Sequence, residues 1–202
     1  MNPEKLTAAV YRVAIAFGIL CLDINLGSIN ILPDWLGYGM ILSALEALSE
    51  EEPSAALLRP LGYTLIGWSL AEWCAKLIGH TINGYGVVYL VVVVQLYFQF
   101  QLLTNMAAIA AKYVSQFEQK ILRLRTVMTL MVTGYGLVSA FIVSEAVAII
   151  VAVVQLGAAF WLWRTLLSME EAMTEVFGLQ PQGPQELTFA ERIQMNMETA
   201  EE

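Results

Sequence analysis

Hydrophobic positions in this chain come in long runs separated by short polar breaks, at neither the period of 2 of a half-buried strand nor the 3.6 of an amphipathic helix. A helix needs roughly 20 residues to cross about 30 Å of hydrocarbon. On that measure the first candidate segment is Leu6 to Leu26, with Arg12 near its start and Asp23 near its end. The polar stretch Asn25, Gly27, Ser28, Asn30 follows, and a second helix is predicted from Pro33 to about Ser49. Pro33 suits a first helical position because its missing N–H costs nothing there, and Asp34 favours the positive end of the helix dipole. Glu50 to Ser54 is hydrophilic, and Arg59-Pro60 leads into a third segment at about Leu61 to Ile78.

From Thr81 to Ala111 no residue is charged, which is the strongest transmembrane signal in the chain. Lys112, Glu118, Lys120, Arg123 and Arg125 then interleave with Val114, Phe117, Ile121 and Leu124. Spacings of three and four put the apolar members on one face, as in the end of segment four or an interfacial helix. Thr126 to Trp163 carries one charge, Glu145. A straight helix of that length would be nearly twice the hydrocarbon thickness, so a turn is expected at Ser144-Glu145. The expected division is a helical domain at 1–177 and a polar tail at 178–202, punctuated by Pro181, Gly183 and Pro184.

These elements predict an all-α polytopic integral membrane bundle of about six transmembrane helices, with five or seven as the alternatives. Lys and Arg cluster at Lys5, Arg12, Arg59, Lys112–Arg125 and Arg164, which predicts cytoplasmic N- and C-termini in a multi-pass cell-membrane protein. Composition agrees: the chain is 58% hydrophobic and 14% charged, against about 25% charged in soluble domains. The net charge of -8 excludes a broad basic surface for nucleic acid. The acidic excess is assigned to loops and tail, in Glu50 to Glu52 and a C-terminal stretch that includes Glu170, Glu171 and Glu175. Expected partners are membrane lipids and a protein partner or second copy of the chain. Cys21, Cys74 and the single His80 have no metal-ligand spacing, and no cofactor or metal is expected.

A Gly-Tyr pair recurs at Gly37-Tyr38, Gly62-Tyr63, Gly84-Tyr85 and Gly134-Tyr135. Gly37, Gly62, Gly84 and Gly134 are therefore candidate helix-packing positions, where the missing side chain lets helices approach. The junction Asn25-x-Gly27, followed by Ile31-Leu32-Pro33-Asp34-Trp35-Leu36-Gly37-Tyr38, resembles a motif near the start of small uncharacterised multi-helix membrane proteins of Gram-positive bacteria. The resemblance covers this junction alone. It implies a bacterial cell membrane and brings no activity with it.

Two groups of residues are candidate sites. Asp23, Glu46, Glu72 and Glu145 are carboxylates in or at the ends of apolar helices, where an ionised group is costly unless it is paired or faces water. Lys76 lies four residues after Glu72, a favourable helical pair. Asn25, Ser28, Asn30 and Asp34 collect polar groups around a helix start, which suits either a small polar ligand or an ordinary capped turn. No catalytic set is visible. The expected function is a non-catalytic integral membrane protein that binds or stabilises a membrane partner. The alternatives are a small transporter with a path lined by the acids, and a membrane enzyme acting on a lipid or isoprenoid. Where the four acids fall in the fold discriminates among them.

Overall fold

The computed structural model describes residues 2–21, 25–26, 29–30, 33–80, 82, 85–139 and 145–179. Among them are six α-helices: α1 (Pro3–Cys21), α2 (Asp34–Glu51), α3 (Leu58–Leu77), α4 (Tyr85–Tyr113), α5 (Glu118–Ser139) and α6 (Glu145–Val176). Between α1 and α2, a two-residue strand β1 (Asn25–Leu26) pairs antiparallel with β2 (Ile29–Asn30). A 3-10 turn at Pro53–Leu57 joins α2 to α3, and another at Ser115–Phe117 joins α4 to α5. Each helix packs on the next, and α6 returns to α1, so the bundle closes into a ring.

Every helix sends an apolar stripe into one shared core, at the three- and four-residue spacing that keeps side chains on one face. The stripes are Leu6, Val10, Val13 and Phe17 in α1 and Tyr38, Ile41, Leu45 and Leu48 in α2. Leu58 and Leu65 serve α3; Phe98, Leu102, Met106 and Ile109 serve α4. Ile121, Leu124 and Met128 come from α5, and Leu162, Leu166, Met169 and Met173 from α6.

The membrane architecture expected from the sequence is corrected here. Among the described residues a single stretch, Tyr89–Tyr113 in α4, is both long and apolar enough to cross a membrane. The six-span bundle, its N-in/C-in topology and the multi-pass localisation therefore fall. For α1 and α2 the physical reason lies in length and charge placement. α1 and α2 have 19 and 18 residues, about 27–28 Å of helix, and α1 carries Glu4, Lys5 and Arg12. The run of mixed charge before residue 126 is not the tail of α4. The chain breaks at Val114–Phe117, and Glu118 to Arg125 form the first two turns of α5. Part of the apolar composition fills the core. Another part stays exposed on α3, α4 and α6, at positions such as Tyr63, Leu90, Val93, Val153 and Trp161.

Helix ends follow local chemistry. Pro33 is the N-cap of α2, extended at φ -69° and ψ 140°, so the helix opens at Asp34, one residue later than the sequence predicts. α6 stops where Gly178 takes φ +64°; Leu179 N–H then donates back to the Thr174 carbonyl at 2.9 Å, the geometry of a glycine-terminated helix.

Gly37 sets the approach of α1 and α2. A Cβ built there would stand 2.8 Å from Leu20 Cγ and 3.2 Å from the Ala16 carbonyl oxygen, whereas one at Gly39 meets nothing within 4 Å. Gly37→Ala is expected to destabilise the fold by about 1–3 kcal/mol through overpacking. Gly39→Ala, gaining helix propensity with no clash, is expected to stabilise by up to about 1 kcal/mol. Denaturant melts of the two variants check the opposite signs.

Candidate functional site

The ring does not close tightly at every level. A cavity of about 480 Å³ opens among α1, α2, α4, α5 and α6. Phe17 and Leu20 of α1, Ile41 of α2, Phe98 and Leu102 of α4, Met128 of α5 and Leu156 and Ala159 of α6 supply hydrocarbon walls. The polar atoms on its lining come from Tyr38 and from Gln95, Gln99 and Gln155. Gln95 and Gln99 are four residues apart on α4, which puts both carboxamides on one face.

Tyr38 is 5% exposed, and its ring meets Phe98 edge-on at 5.9 Å. Its phenol is hydrogen-bonded with Gln95; burial first, and the Asp34 carboxylate second, raise its pKa above the ordinary tyrosine value. Tyr38 therefore stays neutral at physiological pH. Gln99 Nε2 lies 3.5 Å from Met128 Sδ, a weak acceptor that leaves the amide ready for a better one. Among the described residues, no Asp, Glu, Lys, Arg or His lines the cavity.

Neither Glu46 nor Glu72 is among the described residues that line it. Glu46 is exposed on α2, in a separate groove of about 360 Å³ beside Glu4, Lys5, Arg12 and Glu50. Glu72 pairs with Lys76 at 3.2 Å, as the spacing predicts, and their side chains are 43% and 46% exposed, so the pair is a surface one. Glu145 opens α6, and Asp23 lies outside the described residues. Glu46 and the Glu72–Lys76 pair stand outside the cavity lining, and with a single qualifying span among the described residues the transporter, membrane-partner and lipid-enzyme readings are all set aside.

The junction group is described in part. Asn25 and Asn30 are partners across the β1–β2 ladder, Asp34 begins α2 one turn before Tyr38, and Ser28 lies outside the described residues. Of the glycines, Gly62 meets α2 closely: a Cβ there would be 2.7 Å from Leu42 Cδ2, while one at Gly134 meets nothing within 4 Å. Gly84 lies outside the described residues.

Two polar features escape a reading by hydropathy. Asn105 on α4 is 1% exposed. With its carboxamide oxygen turned toward the 3-10 turn, it accepts from Ala55 N–H at 3.2 Å, and its amide donates to Ser54 Oγ at 2.8 Å. Nearby, Tyr113 donates to Glu51 Oε2 at 2.7 Å, and Lys112 donates to the Glu51 carbonyl. Together these tie the end of α4 to the end of α2. The second feature is Glu170, which the sequence assigns to a solvated acidic stretch but the fold buries at 4% exposure. Thr174 Oγ1 donates to its Oε1 at 3.0 Å. Burial raises the Glu170 pKa above the ordinary glutamate value, with the Thr174 bond opposing and Glu171 adding to the rise. The legible signal was its place on the stripe Leu162, Leu166, Met169, Met173.

No family model matches the chain, and neither the curated proteins nor the solved structures contain a match.

Two expectations follow from these acids. Glu72→Gln and Lys76→Met are each expected to change stability by no more than about 1 kcal/mol, as for exposed pairs; thermal melts of the single variants decide this. Glu170 works the other way. Its folded-state pKa lies above its unfolded one, so the folded form holds the proton more tightly. Its contribution favours folding at low pH and is lost as pH rises through the interval between the two values. Glu170→Gln should therefore melt higher than the parent above that interval, with the gap closing on acidification. Paired melts across a pH series read it directly.

Proposed function

We propose that the protein binds a small, uncharged, mainly apolar molecule bearing one or two hydrogen-bonding groups, held between the helices of the ring. The observation that carries this reading is the composition of the cavity wall. Its volume falls within the 300–1,000 Å³ usual for small-molecule sites. Its lining is hydrocarbon except for one neutral phenol and three carboxamides. A carboxamide both donates and accepts, and so does a phenol, so the wall suits a carbonyl, hydroxyl or amide group on the ligand. An ionised ligand would lose its hydration with no counter-charge among the described lining residues to replace it. The bound molecule is thus selected for neutrality first and shape second.

The groups present do not form a nucleophile–base pair, and the cavity reading needs none. Binding alone is the activity proposed.

The test is titration with the neutral fluorophore N-phenyl-1-naphthylamine, followed by competition between decanol and decanoate at neutral pH. Saturable binding at one site per chain is expected, with decanol displacing the probe at lower concentration than decanoate. Ala159→Phe, which fills the cavity, should weaken probe binding at least tenfold while helical content is kept. Gln99→Leu should weaken decanol about five- to tenfold, the loss of one hydrogen bond of about 1–1.5 kcal/mol, and leave the probe's apolar binding nearly unchanged. Equal displacement by decanol and decanoate, or binding indifferent to Ala159→Phe, would overturn the reading.

A further inference from the structure

The structure leaves α6 apolar on two opposite sides. No charged residue occurs between Ala146 and Trp163. Ala159, Leu162, Leu166, Met169 and Met173 face the core. On the opposite side Ile150, Val153, Val154, Phe160 and Trp161 are exposed, at fractions from 43% to 67%. A helix apolar all round is normally covered all round. Within the ring α6 has α1 and α5 as its main neighbours, and neither covers this outer side.

We propose that the outer face of α6 is the interface of a homodimer, in which two copies cross at Gly157. Three features favour a second copy. The first is area. With Ile149, these side chains expose roughly 700 Å², close to the 800 Å² or so that each partner buries in a standard interface and more than a monomer ordinarily leaves open in one patch.

The second feature is the centre of the patch. Gly157 is exposed there, and a Cβ built on it meets nothing within 4 Å. Packing inside the protomer therefore does not require glycine at this position. A partner backbone crossing there does, because a bare Cα lets two helices approach closely.

The third feature is self-complementarity. A two-fold interface presents the same patch twice. In an antiparallel crossing centred on Gly157, each residue faces its mirror in number: Val153 meets the partner copy's Trp161, and Val154 meets its Phe160. Small branched side chains then fill against large rings on both sides of the axis. From Ile149 to Trp161 the patch carries no charge; Arg164, exposed one turn beyond Phe160 on the same face, bounds it and faces the partner copy's Ile150 in this crossing.

The test uses the full chain with Cys21→Ser and Cys74→Ser, carrying Gly157→Cys or, as a control on another exposed face, Val93→Cys. Under mild oxidation the Gly157→Cys chain should cross-link to a dimer, and the Val93→Cys chain should not. Sedimentation of the parent chain should show a dimer at micromolar concentration. Gly157→Leu has room within the protomer and should keep full helicity, but should weaken the dimer at least tenfold. Four results would overturn the proposal: a monomer at tens of micromolar, a face covered only by bound lipid or detergent, a hetero-complex in place of the dimer, or a dimer indifferent to Gly157→Leu. Because the core side of α6 is untouched, probe binding in the cavity should survive Gly157→Leu, which separates failure of this interface from failure of the cavity reading.

Discussion

The return of α6 to α1 is the contact on which the remaining architecture depends. Neighbouring helices in sequence pack as pairs with little loop to close. The last helix alone must reach across the chain to the first. What holds it there is non-directional burial: the Leu162–Met173 stripe of α6 and the Leu6–Phe17 stripe of α1 enter the same core. At roughly 25 cal/mol per Å², a fully buried Leu or Met contributes about 1.5–3 kcal/mol relative to an exposed one. Several such side chains outweigh the entropy of closing the ring, which grows only slowly with loop length. Without that closure the cavity would have no α6 wall, and Gln155, Leu156 and Ala159 would not face Tyr38 and Gln99.

Order along α4 shows how one helix serves two purposes. Its C-terminal end is clamped: Asn105 holds the 3-10 turn, and Lys112 and Tyr113 hold the end of α2. Arg125 of α5 adds a bond to Thr104 at 2.8 Å and stacks its guanidinium over Phe100 at 4.2 Å. Two turns earlier, the same helix offers Gln95 and Gln99 to the cavity. Directional polar contacts fix one end, so the carboxamides are presented from a rigid rod and not from a loop.

Helix existence was legible because the apolar runs are long enough for helices, and the breaks at Glu50–Ser54 and near residue 144 fell where helices end or begin. The membrane architecture was not legible in the same way. An apolar run has the same composition whether it faces core, cavity or exterior, and periodicity is lost when both sides are apolar, as in α6. The start of α5 was missed because Val114 and Phe117 continue the apolar spacing of α4 through a 3-10 turn. Glu170 was misassigned because charge was counted by region, while its burial is decided by its register against Leu166 and Met173. The cavity residues were overlooked for a related reason: glutamine is common and uncharged, and only the fold shows that three of them meet.

The ring also has a consequence for biosynthesis. Glu4 and Lys5 of α1 lie beside Glu50 of α2, Tyr113 at the end of α4 reaches Glu51, and its ring meets Phe177 just beyond α6 at 5.2 Å. The beginning and end of the helical body therefore share one end of the bundle. A ribosome emits the chain from α1 onward at about 5–20 residues per second, so the side of α1 that α6 covers waits roughly 8–30 s for its partner. Throughout that interval the nascent protein is an open arc with a greasy seam at its first helix, and a chaperone or a neighbouring nascent chain competes for the place that α6 will take.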